Sequence, residues 1–223
     1  MKRLIALLAS SVVVLAVAAP ATAQFGLPNV LRGGGASGSR ADVDGFLVRA
    51  RTAELLTRIS ADSIYAAVES QAKAEEIAAR RKANAAIADP KERDAADRKL
   101  DAEVNATLAT VDWDAEQKAL QAQANTDRTK HLGVSIYNFA LAVLKDQEVV
   151  TTGREIASSI SSNPMQAVSM AGKLGAVKDS AGAIGSQMGN LTRIAGGIPK
   201  LMTVAKVTEL PASASAAPMQ AAD

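Results

Sequence analysis

Hydrophobic positions recur three and four residues apart through most of the chain, which is the spacing of amphipathic helices. Ala, Leu, Glu, Lys, Arg and Gln, all strong helix formers, dominate residues 41–210. Alternating β-branched runs bounded by turn residues, which would predict strands, are missing. The pattern predicts an all-α fold with no β-sheet, in which long antiparallel helices form an elongated helical bundle or coiled-coil hairpin.

The first predicted helix begins near Asp42, a candidate cap, and runs to about Ala88. Asp89-Pro90-Lys91-Glu92 follows and combines a preferred N-cap, a proline at the first helical position and a glutamate three residues after the cap. Because the residue before proline resists the helical conformation, one helix ends here and another begins. We therefore expect Asp89 to cap the second helix of a tight hairpin.

The middle of the chain contains weaker boundaries. The next helix places four apolar residues on one face: Leu100, Val104, Leu108 and Val111. A break is predicted between Thr110 and Asp114, with Asp112 as its cap, and a second weak point lies between Asn125 and Gly133. The pattern leaves open whether residues 110–133 form one helix or several.

Two apolar helices are predicted in the last part of the chain. The first begins near Leu132 and ends near Ser162. Asn163-Pro164 repeats the cap-and-proline arrangement, so Asn163 is expected to cap the last long helix. Gly196-Gly197 and Pro199 are expected to end or kink that helix.

The last helix contains the most specific pattern in the sequence. Apolar residues follow one another in steps of four and three, as in the seam of a coiled coil. They are Met170, Leu174, Val177, Ala181, Ile184, Met188, Leu191, Ala195, Ile198, Met202 and Ala205. The predicted packing seam is centred on the six residues from Leu174 to Leu191.

Four glycines lie beside this seam at intervals of seven residues: Gly175, Gly182, Gly189 and Gly196. A glycine inside a helix costs about 0.5–1 kcal/mol relative to alanine, so four in register need compensation. Glycines on one helical stripe permit close approach of a neighbouring backbone. We expect them to contact residues 132–160 of the same chain; the alternative is a contact with another chain or a membrane.

The N-terminus has the three parts of a secretory signal peptide. Met1-Lys2-Arg3 is basic, Leu4–Ala19 is apolar, and Ala21-Thr22-Ala23 is a cleavage site. We expect residues 1–23 to be removed and the product to be exported to the periplasm or outside the cell. An uncleaved membrane anchor is the alternative, because the uncharged run is long enough to span.

Composition divides the rest of the chain. Residues 24–40 are predicted to form a glycine-rich flexible leader, residues 41–210 a single helical domain, and residues 211–223 a disordered tail. Residues 41–130 hold 31 charged side chains and predict a charged hairpin, whereas residues 131–223 hold only 13. Residues 131–205 are therefore expected to form a more apolar helical pair.

Signal removal also changes the charge. Lys2 and Arg3 leave with the signal, so the 25 basic residues become 23 and balance the 23 acidic ones. A neutral product has no general attraction for nucleic acid, and none is expected as a partner.

The sequence offers little catalytic chemistry. It has no Cys and one His, His131, so thiol nucleophiles and Cys-ligated zinc are excluded. Asp112-Trp113-Asp114 resembles the start of a calcium loop, but Gln117 and Gln123 stand where that loop needs Gly and Glu. Acidic residues at a helix start explain this motif better. We expect no catalytic residues, no metal ligands and no cofactor.

The leading hypothesis is an exported, non-enzymatic helical protein that acts through protein–protein contacts, with self-association included. The alternative is a protein that binds lipid or a membrane surface through the apolar faces of residues 132–160 and 165–198. A hydrolase with an unrecognised carboxylate site is a third, weaker class.

Overall fold

The computed structural model describes residues 43–123, 126–162 and 171–220, all within one unit, Ser37–Asp223. These residues form six helices and no strand, so the described part of the chain is all-helical. The helices are α1 Val43–Val68, α2 Gln71–Ala85, α3 Pro90–Leu108, α4 Trp113–Gln123, α5 Thr126–Ser161 and α6 Ala171–Ala205. Asp42, Asn163 and Met170 lie outside the described residues, as do the predicted signal and leader segments.

The single helix predicted from Asp42 to Ala88 is in fact two helices. α1 ends at Val68. Ser70 is the N-cap of α2 and has an extended backbone, with φ −64° and ψ 150°. In one straight helix Asp62 and Arg81 would lie about 28 Å apart. Instead the Arg81 Nε lies 2.8 Å from the Asp62 carboxylate, because α2 folds back on α1.

The predicted cap at Asp89 is present. The Asp89 carboxylate accepts hydrogen bonds from the backbone N–H groups of Lys91 and Glu92, at 2.7 and 3.0 Å, and Pro90 is the first residue of α3. Asp112 caps α4 in the same way, accepting from the N–H groups of Asp114 and Ala115. Helix formation is therefore interrupted between α3 and α4, which answers the first part of the question left open for residues 110–133.

The last helix does not end at Gly196-Gly197 or at Pro199. α6 continues through Pro199 to Ala205. An internal proline removes one backbone hydrogen bond and costs about 3 kcal/mol. Three residues around Pro199 are fully or almost fully buried, and their apolar burial offsets this cost. They are Ile194 and Ile198 before the proline and Leu201 after it.

α5 contacts both α1 and α6. Phe46 of α1 lies beside Gly153 while Thr57 contacts Asp146, so residue numbers rise on one helix as they fall on the other. Similarly, Gly133 lies beside Val207 and Gly153 beside Ala181. These contacts place the two apolar helices side by side, with α1 along α5.

The buried side chains form two apolar clusters. The small cluster joins α1, α5 and α6 and includes Phe46, Ile156 and Val177. The large cluster includes Ile64, Phe139 and Leu191, together with residues of α2, α3 and α4. Between the two clusters, the buried residues of α1 include the polar Thr57 and Ser60, and α5 buries Asp146.

The described part of the tail, residues 211–220, contains no helix or strand and lies against α5. α6 ends in a left-handed residue, Lys206 with φ 54°, and the Val207 N–H donates back to the Met202 carbonyl. Residues 211–220 then lie on α5, where Asn138 and Lys145 bind their backbone. The contacts of this segment with Asn138 and Lys145 run through its main-chain groups.

Candidate functional site

Asp146 is the most unusual buried group in the described part of the chain. Only 2% of it is exposed, between Thr57 of α1 and Gln187 of α6. One carboxylate oxygen accepts a 2.7 Å hydrogen bond from the Thr57 hydroxyl, and the other has no partner. A cavity of about 20 Å³ adjoins it, lined by Glu54, Arg58 and other residues of this interval. That volume holds one water molecule.

The interval that contains Asp146 is called the polar layer here. It consists of Thr57, Asp101, Asp146 and Gln187, which line the cavity, and of Asn105, which is hydrogen-bonded to Gln187. Asn105 donates a 2.8 Å hydrogen bond to Gln187 and so joins α3 to α6, while its own side-chain oxygen is unpaired. Buried polar groups without partners are costly, and two of them mark this layer as a weak point in the core.

Burial raises the pKa of the Asp146 carboxyl from 3.8 to about 7. The Thr57 hydrogen bond opposes this rise in pKa, and the nearby charge of Glu54 adds to it. An isolated carboxylate in an apolar interior is strongly disfavoured, so the neutral acid is the form that suits this position. The group can therefore gain or lose a proton near neutral pH.

Sequence analysis did not single out Asp146, although a signal was present. Most of the described buried positions of α5 follow steps of three and four: Leu132, Ile136, Phe139, Val143, Asp146, Val149, Gly153, Ile156 and Ile160. Asp146 is the only ionisable member of this set. A carboxylate on the apolar side of a helical pattern indicates either a paired group or a site.

A cluster of charged residues lies next to the polar layer and joins α1, α2 and α3. Asp101 pairs with Arg58 at 3.0 Å and with Arg81 at 2.6 Å. Arg58 also reaches Asp97, and Arg81 reaches Asp62. Burial raises the pKa of Asp62 although Arg81 opposes the shift. Each charge in the cluster has an opposite partner, so the arrangement serves to connect the three helices.

The predicted seam of α6 is buried on one side only. Val177, Ile184 and Leu191 are almost fully buried, whereas Leu174, Ala181 and Met188 are half-buried. The column at 177, 184 and 191 continues at 198, so the centre of the buried face follows a seven-residue repeat.

The prediction that the four glycines contact residues 132–160 of the same chain is wrong. Gly175, Gly182, Gly189 and Gly196 are exposed, and a Cβ at any of them would meet no described atom within 4 Å. The reason is angular. Each glycine precedes a buried seam residue by two positions, or about 200° around the helix, and so lies on the opposite face. We call these four residues the glycine stripe.

Other glycines make the close contacts. A Cβ at Gly153 would lie 2.7 Å from the Cβ of Ala181 and 3.0 Å from the Phe46 ring. A Cβ at Gly197 would collide with the indole of Trp113. The position of Gly153 among the apolar residues of α5 could have been read from the sequence. The Gly197 contact could not, because it depends on where α4 lies.

The other residues considered for chemistry have ordinary surroundings. His131 is exposed. Asp112 caps α4, and Asp114 forms an ion pair with Lys200 of α6 at 2.6 Å. Within the described ranges, no group of three or more His, Cys, Asp and Glu side chains is arranged to hold a metal ion.

None of the helices in the described residues has both the length and the apolar character that a membrane span requires. Comparisons of the chain with protein-family models, with curated proteins and with solved structures give no match.

Proposed function

We propose that this chain is an exported, non-enzymatic helical protein that binds another protein chain in the periplasm or cell envelope. The surface that we assign to the contact is the glycine stripe of α6. The observation that carries the proposal is the exposure of four glycines at intervals of seven residues, with no described atom of the chain near the positions of their missing Cβ atoms.

The energetics of the stripe support a partner. Four mid-helix glycines cost roughly 2–4 kcal/mol of helix stability relative to alanine, at 0.5–1 kcal/mol each. No described atom lies within 4 Å of the missing Cβ positions, so close packing at the glycines themselves does not offset this cost. A partner helix would, because glycines in a seven-residue repeat permit close backbone approach over several turns.

The composition of the same face supports a protein partner. Residues 180–192 contain no charged side chain, and Gly182, Ser186 and Gly189 are all exposed there. A solvated helix face normally carries charged side chains. A smooth, uncharged and mildly polar face suits the surface of another helix.

The architecture that we propose is an elongated bundle in which α5 lies antiparallel to α1 and α6. The Phe46–Gly153, Thr57–Asp146 and Gly153–Ala181 contacts support it. In this arrangement the seam of α6 faces inward and the glycine stripe faces outward.

Export is part of the proposal and rests on the signal-like N-terminus. N-terminal sequencing of the product from an exporting cell is expected to start at or near Gln24. A product that retains Met1 and stays in the cytoplasm would contradict the proposed export.

Lipid binding is the second reading of the sequence. It needs free apolar faces on α5 and α6, but Ile136, Phe139 and Leu191, which belong to those faces, are at most 1% exposed. No observation on the described residues favours this function over protein binding. Native mass spectrometry of the purified chain tests it, since co-purified lipid would support it.

The stripe is tested by placing bulky side chains on it. Gly182→Leu with Gly189→Leu adds apolar bulk in open space, so the fold should persist while partner contact is blocked. Gly172→Leu is the matched control, because a Cβ there also meets nothing within 4 Å but lies off the stripe. A photo-crosslinker at Ser186 reports contact.

We expect a defined crosslinked product, either a dimer of the chain or a complex with another protein. It should be lost in the double Leu variant and kept in Gly172→Leu. If the product is absent, or persists unchanged in the double variant, the stripe is not the contact surface.

A further inference from the structure

The tail and α5 form an interface in which one helix binds an extended backbone. The Asn138 side-chain amide donates to the Met219 carbonyl at 2.9 Å and accepts from the Met219 N–H at 2.8 Å. This is the pair of bonds that a neighbouring strand makes. It recognises a main chain whatever its side chains are.

A second contact lies two helical turns along α5. The Lys145 ammonium donates to the Ala214 carbonyl at 2.5 Å. Residues 138 and 145 lie on one side of α5, about 10.5 Å apart along its axis. The two side chains therefore hold the tail at two points five residues apart.

The Lys145 charge is poorly compensated by this occupant. Burial lowers the pKa of the ammonium, and only the nearby Glu148 charge opposes the shift. In the described structure Lys145 has no ion pair, and its hydrogen-bond acceptor is a neutral carbonyl. An ammonium forms a stronger bond to a carboxylate than to an amide oxygen.

The tail itself is weakly anchored. Met219, the residue bound at Asn138, is 44% exposed, and Leu210 is 39% exposed. The tail leaves α6 through Lys206 in the left-handed conformation that non-glycine residues rarely adopt. Main-chain hydrogen bonds, more than packed side chains, hold residues 211–220 in place.

We propose that the α5 surface around Asn138 and Lys145 is a docking site for an extended acidic segment of a partner protein, and that the tail is its internal competitor. The acidic side chain of the partner pairs with Lys145, and its backbone replaces Met219 at Asn138. This site is separate from the glycine stripe, and its failure would leave the proposed function untouched.

The test uses two fluorescent peptides with the sequence of residues 211–220, one unchanged and one with Ala214→Glu. Each is titrated into the full chain and followed by anisotropy. Met219→Pro in the chain removes the N–H that Asn138 accepts and so loosens the tail. Met219→Ala is the matched control, since it removes the side chain and keeps the N–H.

We expect the Met219→Pro chain to bind the acidic peptide at least tenfold more tightly than the wild-type or Met219→Ala chain does. In the Met219→Pro background, Asn138→Ala or Asn138→Asp should abolish or strongly weaken binding of both peptides. Lys145→Met should remove the advantage of the acidic peptide over the unchanged one. Two different substitutions of Asn138 are used so that a folding defect in one of them does not decide the result.

Two results would overturn the proposal. If neither peptide binds the Met219→Pro chain at millimolar concentration, the surface does not accept a segment in trans. If the acidic peptide has no advantage, or keeps it in Lys145→Met, the assigned partner chemistry is wrong.

Discussion

The indole of Trp113, the first residue of α4, lies against Gly197 of α6 where a Cβ would stand. Substitution of Gly197 by alanine must therefore push the two helices apart. We predict that Gly197→Ala lowers the free energy of unfolding by about 1–3 kcal/mol through overpacking. Chemical denaturation followed by the fluorescence of this single tryptophan measures the change and reports on the same contact.

The neighbouring residue provides the control for this prediction. Gly196 is exposed, with nothing within 4 Å of its Cβ position. Gly196→Ala should stabilise the chain by up to about 1 kcal/mol, because alanine has the higher helix propensity. Equal effects of the two substitutions would show that Trp113 does not pack on Gly197.

Asp146 predicts a specific dependence of stability on pH. Its pKa in the folded state is about 7, above the ordinary value of 3.8, so folding favours the protonated form. This contribution to stability is full below about pH 4 and is lost as the pH rises towards 7. A pKa raised from 3.8 to about 7 corresponds to about 4 kcal/mol as an upper bound.

Asp146→Asn isolates this contribution, because the amide keeps the shape and does not titrate. The difference in unfolding free energy between wild type and variant should change between pH 4 and 7, with the wild type losing ground as the pH rises. A difference that stays constant across this range would mean that Asp146 is ionised throughout in the folded protein.

The cap at Asp89 gives a local prediction. Asp89→Ala removes the acceptor for two backbone N–H groups and should cost about 0.5–2 kcal/mol of stability. Pro90→Ala should cost little, because the first helical position needs no backbone donor. Urea denaturation of both variants checks the pair, and two silent substitutions would place the turn elsewhere.

Lys206 holds a positive φ of 54° just after α6, a position at which glycine is usual. Lys206→Gly should raise the thermal midpoint, because relief of the left-handed strain, worth about 1–2 kcal/mol, exceeds the added entropy of the unfolded chain. Lys206→Ala retains a Cβ and is the control. A midpoint no higher for the glycine variant than for the alanine variant would contradict the strained conformation.

The features that could be read from the sequence are those fixed within a few residues. Asp89 and Asp112 cap their helices through side-chain bonds that span two or three positions, so residue type and spacing suffice to predict them. The break at Ser70 has no proline and no cap hydrogen bond. It accompanies the folding of α2 back on α1, where Arg81 pairs with Asp62 and Asp101, and these contacts are distant in sequence.

The glycine stripe was misassigned because a heptad pattern has two columns, and the sequence does not say which one is buried. Burial of the column at Val177 and Ile184 turned the glycines outward. The contact of the tail with α5 could not be predicted for a different reason. Its fixed points are the backbone groups of Ala214 and Met219, and residue composition carries no information about them.

The central claim is that the stripe faces away from the chain's own core and serves a partner. Gly182→Ala with Gly189→Ala raises helix propensity at two open positions, so the unfolding midpoint of the dilute, monomeric chain should rise. Measuring that midpoint over a range of protein concentrations tests the claim most directly. The account predicts a higher midpoint for the double variant in dilute solution. A lower midpoint at every concentration would show that the glycines pack against the same chain and would contradict it.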